Sequence, residues 1–133
     1  MGRCFEEPER ARIAAALDAQ VPGSAALGAV DYVEGLLTAL DEDPPRIWAG
    51  PEGWLEVGPW ERHAWGHRID ELRALYARVG AGDRIAPEDA RVLHQHAVEA
   101  TYGDPAYGGN RGEGGWQRID FPSPLFPPAR EPR

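Results

Sequence analysis

The sequence contains no lysine: its 14 basic side chains are all arginines, set against 22 aspartates and glutamates for a formal net charge of -8. Sequence-independent binding to nucleic acid runs on clustered positive charge, so that class of partner is not expected. Cysteine is equally scarce. Cys4 is the single one, which excludes an internal disulfide and leaves no signature of an oxidising compartment. No stretch approaches the ~20 consecutive apolar residues of a membrane-spanning helix. The first thirty or so residues hold neither an arginine pair before an apolar run nor a small-residue cleavage site. A cytoplasmic location is therefore expected, with the periplasm as the alternative if a signal-bearing partner carried this chain across.

What is present fits one domain of 133 residues, enough for a single modest core. Pro8 stands among acids where a first helical turn tolerates it, and Ile13, Leu17 and Val21 recur at four-residue spacing, predicting a helix over about 8–20. Val21-Pro22-Gly23 breaks it. Ser24 then reads as the cap of a second helix striped by Leu27, Val30, Val33, Leu37 and Leu40, stopped by Asp41-Glu42-Asp43-Pro44-Pro45. A third helix is predicted over about 60–79, with Trp65, Ile69, Leu72 and Tyr76 on one face and Gly80-Ala81-Gly82 at its end. The fourth starts at Pro87-Glu88-Asp89 and runs to about 102, presenting Ala90, Leu93, Ala97 and Ala100, whose alanines imply close packing. The expected fold is all-α: about four helices in a small bundle.

Two stretches resist regular structure. Around 44–59, prolines and glycines surround Trp48 and Trp54, which reads as an irregular insertion in a helical domain of residues 1–102. Residues 103–133 hold six glycines and six prolines, which excludes a long helix and makes a central strand improbable. Yet Tyr107, Trp116, Ile119, Phe121, Leu125 and Phe126 punctuate this segment, and a solvated tail has no use for so many large apolar groups. An extended arm that wraps a partner is the expectation; an arm that wraps its own helices buries the same residues and stays open as the alternative.

Catalytic signals are thin. His63 and His67 share a helix face at a spacing found in zinc sites, but no glutamate follows the first histidine and no third ligand is signalled. His94 and His96 diverge around a helix. Cys4 and Ser123 show no partner base, and Asp41, Glu42 and Asp43 read as a solvated helix end. The glycine-rich run from Gly108 to Gly115 follows a helix rather than a strand and has no Walker lysine, so a phosphate loop is rejected. It reads instead as chain that turns tightly and approaches another backbone closely, with Asn110 and Arg111 supplying hydrogen bonds.

That run lies within Asp104-Pro105-Ala106-Tyr107-Gly108-Gly109-Asn110-Arg111, followed after three residues by Gly115-Trp116-Gln117-Arg118-Ile119-Asp120-Phe121-Pro122. The pattern resembles the C-terminal signature of gluconate 2-dehydrogenase subunit 3. A weaker similarity extends upstream through Val21-Pro22-Gly23 and Gly28-Ala29-Val30-Asp31-Tyr32-Val33. Asp120 and Ser123 stand where that family usually has glycine, and the twin-arginine signal common in its small subunits is missing.

The resemblance implies a non-catalytic small subunit that binds, folds and stabilises an FAD-dependent sugar or polyol dehydrogenase of the glucose-methanol-choline family. FAD and the hydride chemistry would lie on that partner, and a cytochrome subunit often accepts the electrons in such complexes. This chain has no haem-attachment motif and is too short for an FAD fold. The partner-binding residues expected on this basis are Asp104, Pro105, Tyr107, Gly108, Gly109, Asn110, Arg111, Gly115, Trp116, Ile119, Phe121 and Pro122. Tyr107, Trp116 and Phe121 would be the apolar anchors, and Asn110 and Arg111 the polar fasteners. The alternatives are an assembly chaperone that dissociates from the folded flavoprotein, and a small metal-dependent enzyme using His63 and His67.

Overall fold

A computed structural model describes residues 4–39, 41, 59–103, 105 and 108–120, with the backbone alone over 59–67. The described chain is helical and contains no strand: α1 (Glu7–Gln20), α2 (Ala29–Leu37), α3 (Pro59–Ala81), α4 (Pro87–Tyr102) and a short α5 (Gly114–Arg118), preceded by a 3-10 turn at Arg111–Glu113. The all-α bundle read from the sequence is the observed architecture. The insertion read around 44–59 lies almost wholly outside the described residues.

Helix α1 begins where proline and acids favour a start, and Glu6 N–H donates to Glu9 Oε1 at 2.9 Å to satisfy one orphan donor of the first turn. It packs against both α3 and α4. Its Ile13 and Leu17 are fully buried and meet Val33 and Leu37 of α2, Leu72, Leu75 and Tyr76 of α3, and Leu93 and Ala97 of α4 in one core. Each large aliphatic side chain enclosed this way contributes about 1.5–3 kcal/mol. At the far end of α3, Gly82 takes φ 84° just past the last helical residue, and Asp83 N–H reaches back to the Arg78 carbonyl at 3.0 Å. A side chain with a Cβ would strain there, so the Gly80-Ala81-Gly82 stop works through its last glycine.

Helix α2 starts five residues later than Ser24. Gly28 stands at φ 93°, a left-handed conformation that no helix interior accommodates, and residues 22–28 form turns instead. Ser24 is not the cap. Its carbonyl accepts the N–H groups of Leu27 and Ala29, both at 3.1 Å, while its fully buried hydroxyl meets no partner among the described residues. The apolar stripe of Val30, Val33 and Leu37 is buried as its spacing predicts.

Candidate partner-binding surface

The arm does not leave the bundle after Gly103. It folds back as far as Asp120 across the C-terminal end of α4 and the 22–28 turn. Three glycines permit this approach at backbone distance. A Cβ on Gly109 would overlap the Ala100 carbonyl, one on Gly115 would overlap the Thr101 carbonyl, and one on Gly114 would press on the Leu27 side chain. Ala100 is fully buried, so the small residues on α4 serve contact with the arm as well as with the other helices.

Asn110 is the centre of this arrangement. It is fully buried at φ 46°, a left-handed conformation that asparagine tolerates better than most residues. Its N–H donates to the Ala100 carbonyl and its Nδ2 to the Gly103 carbonyl at 2.8 Å. Its Oδ1 accepts Gly115 N–H at 2.7 Å and, more weakly, Trp116 N–H at 3.4 Å. One side chain thus pins both the exit from α4 and the start of α5. Trp116 lies only 7% exposed beside it and donates its indole N–H to the Tyr102 carbonyl at 2.6 Å.

The reading of Asn110 and Trp116 as direct contacts to a partner is therefore corrected. Both face inward, because glycine at 109 and 115 lets the arm sit on α4 closely enough to satisfy its polar groups there. The boundary at residue 102 moves with them: residues 108–120 belong to the helical body. Gly109 and Gly115 are buried in the same contact, Gly108 lies at φ 98°, and Pro105 accepts Gly108 N–H at 3.1 Å. Asp104, Tyr107, Phe121 and Pro122 lie outside the described residues. Of the expected contacts, Arg111 and Ile119 remain turned to solvent, with Ile119 55% exposed.

Arg111 ties the arm to the front of α2. Its N–H donates to the Leu27 carbonyl at 3.0 Å, its guanidinium packs over Gly28, and Nη2 reaches Asp31 Oδ2 at 2.7 Å. Arg10 of α1 meets the other oxygen of Asp31 at 2.8 Å, so one carboxylate joins α1, α2 and the arm. Arg118 packs over Gly23 in the same way. An open groove of about 270 Å³ lies beside this bracket, lined by Arg10, Ala14, Gly28, Asp31 and Arg111 among others.

Glu34, which is not among the residues expected of the site, sits one turn past Asp31 and is 3% exposed. Oε1 pairs with Arg10, and Oε2 accepts the N–H groups of Cys4 and Phe5 at 2.7 and 3.2 Å. A signal for it existed: it falls four residues after Val30 on the apolar stripe of α2, where an acid has to find donors inside.

Asp120 carries φ 56° at a position where the resembled family usually has glycine. Asp120→Gly is expected to raise stability by about 0.5 kcal/mol, the relief of left-handed strain exceeding the extra freedom glycine has when unfolded. A thermal melt checks it, and a loss of stability would contradict the assignment of strain to this residue.

The other candidate chemistry is placed as follows. Desolvation raises the Cys4 thiol above its ordinary pKa, opposite to the activation a nucleophile needs. His94 is exposed and His96 buried, so the two diverge around α4 as their spacing predicts. The side chains of His63 and His67 lie outside the described residues, as does Ser123. Among the described residues, no three histidine, cysteine, aspartate or glutamate side chains gather in a way that could hold a metal ion. No protein-family model, curated protein or solved structure matches this chain.

Proposed function

We propose that this chain is a non-catalytic small subunit that binds and stabilises an FAD-dependent dehydrogenase of the glucose-methanol-choline type. The observation that carries the reading is a convergence. The described parts of the segments in which the sequence resembles gluconate 2-dehydrogenase subunit 3, at 21–23, 28–33 and 108–120, meet on one side of the molecule although up to 95 residues separate the residues in contact. Arg111 over Gly28, Arg118 over Gly23 and Arg111 on Asp31 are the joints. That residues carrying the resemblance share one surface is what supports the reading.

In this reading the buried signature residues build the platform, and the exposed ones make the contact. Asn110, Gly115 and Trp116 fix the path of the arm; Arg111, Arg118 and Ile119 face the partner, a mix of arginine and apolar area suited to an interface centre. FAD and the hydride chemistry belong to the partner, which also sets the substrate.

The test is co-expression of the chain with a flavoprotein of that type from the same genome. The flavoprotein is expected to become soluble, yellow and co-eluting in the chain's presence. Ile119→Asp is expected to weaken co-elution at least tenfold while leaving the melting temperature of the isolated chain unchanged. A chain that promotes flavoprotein folding but is absent from the purified active enzyme would be a chaperone instead. A flavoprotein indifferent to the chain would overturn the reading.

A further inference from the structure

We propose that the Tyr76–His96 pair is an acid-sensitive clasp that couples the side-chain bridge between α3 and α4 to the docking of the arm. Tyr76 is fully buried and His96 is 4% exposed. The Tyr76 hydroxyl lies 2.6 Å from His96 Nδ1, and the two rings stack at 5.8 Å with 17° between their planes. No other acceptor for the hydroxyl is found among the described residues. Tyrosine therefore donates, and the imidazole is neutral with its proton on Nε2.

A proton taken from solvent onto Nδ1 turns that acceptor into a donor. Tyr76 then has to accept, and its own proton is left without an acceptor in the core. The groups bearing on the pair are Arg68 and Tyr76 on α3, Glu99 on α4, and Tyr32 on α2, whose hydroxyl donates to Glu99 Oε1 at 2.6 Å. From α1, the apolar Ile13 and Leu17 enter the same core. Burial lowers the His96 pKa, Glu99 opposes the shift and Arg68 adds to it. Burial also pushes the Tyr76 hydroxyl far above its ordinary value, so it stays protonated throughout. The stabilisation supplied by neutral His96 is present in full above the unfolded pKa of about 6.5, and is lost as pH falls from there toward the lower folded pKa.

The link to the arm is the position of His96 one turn before Ala100, Thr101 and Tyr102. Those are the residues whose backbone seats Asn110, Gly115 and Trp116. Loosening the middle of α4 loosens the seat. The inference concerns the chain by itself and stands apart from any flavoprotein partner.

The experiment compares the full chain with His96→Asn, whose Oδ1 can keep accepting from Tyr76 but cannot titrate. Urea unfolding is followed from pH 7.5 to 5.0, with intrinsic-rate-corrected hydrogen exchange at the Gly115 amide and the Trp116 indole. The unfolding constant of the parent chain is expected to rise by up to about tenfold per pH unit below pH 6.5 relative to His96→Asn. Arm protection should fall in parallel. Superimposable pH profiles would overturn the clasp, and arm protection that ignores pH would overturn the coupling. Should His96→Asn fail to fold, Tyr76→Phe decides: losing the donor that favours neutral imidazole moves the pH midpoint upward, and an unmoved midpoint overturns the proposal.

Discussion

Glu34→Ala is expected to lower the stability of the chain by about 3 kcal/mol, a fall of roughly 10–15 °C in melting temperature for a domain of this size. The reason is the company the carboxylate keeps. It is 3% exposed and accepts from three donors, the Arg10 guanidinium and the N–H groups of Cys4 and Phe5. Removing it leaves one guanidinium nitrogen and two amides without their acceptor at a partly buried site. The penalty stays near the lower end of the range for broken buried pairs, because Arg10 keeps its second bond to Asp31. Glu34→Gln separates charge from shape. All three partners are donors, so the new amide NH₂ must oppose one of them, and a cost of about 1–2 kcal/mol is expected. Urea unfolding at neutral pH measures both, and a Glu34→Ala chain within 1 kcal/mol of the parent would show that the first residues are not held by this carboxylate.

The bundle was legible because its punctuation is chemical. Proline beside acids opens α1 and α4, and a left-handed glycine closes α3, so these boundaries follow from local rules acting over a few residues. The start of α2 was not legible for the same kind of reason. Ser24 has the side chain of a cap, but Gly28 takes the conformation that forbids helix through it, and a sequence does not say which of two local preferences yields. The aromatic arm posed a harder question. Trp116 needs an apolar bed, and its own helices or another protein meet that need equally well. What decides it is the approach of Gly109 and Gly115 to the carbonyls of α4, a long-range contact in which the missing side chain is the signal.

The residues that carry the resemblance fall into two kinds in the structure: Asn110 and Trp116 are buried, and Arg111 and Ile119 are exposed. Long signatures mix residues that hold a surface together with residues that the surface presents. Asn110 satisfies backbone groups that would otherwise be stranded, and a role of that kind is specified as tightly as any contact to a partner. Ile119, by contrast, is 55% exposed. Mutations at Asn110 and at Ile119 should therefore fail in different ways, the first through the fold of the chain and the second through its association.

Asn110→Ala is accordingly expected to destabilise the isolated chain by about 3 kcal/mol. The substitution strands the Gly115 N–H and the Gly103 carbonyl, which Asn110 meets at 2.7 and 2.8 Å, at about 1–3 kcal/mol for each buried group left unsatisfied. It also places a Cβ-bearing residue without a local hydrogen bond at φ 46°, adding roughly 1 kcal/mol. Asn110→Gly removes the same bonds but accepts that φ, so it should be the milder of the two by about 1 kcal/mol. Asn110→Asp keeps the acceptor for Gly115 and Trp116 but sets a buried carboxylate against the Gly103 carbonyl, and should fall near the alanine variant. Thermal melts rank the three, and limited proteolysis within 108–120 reports whether the arm has come away. Equal stability for all four chains would mean that the glycine contacts alone seat the arm and that Asn110 is dispensable to it.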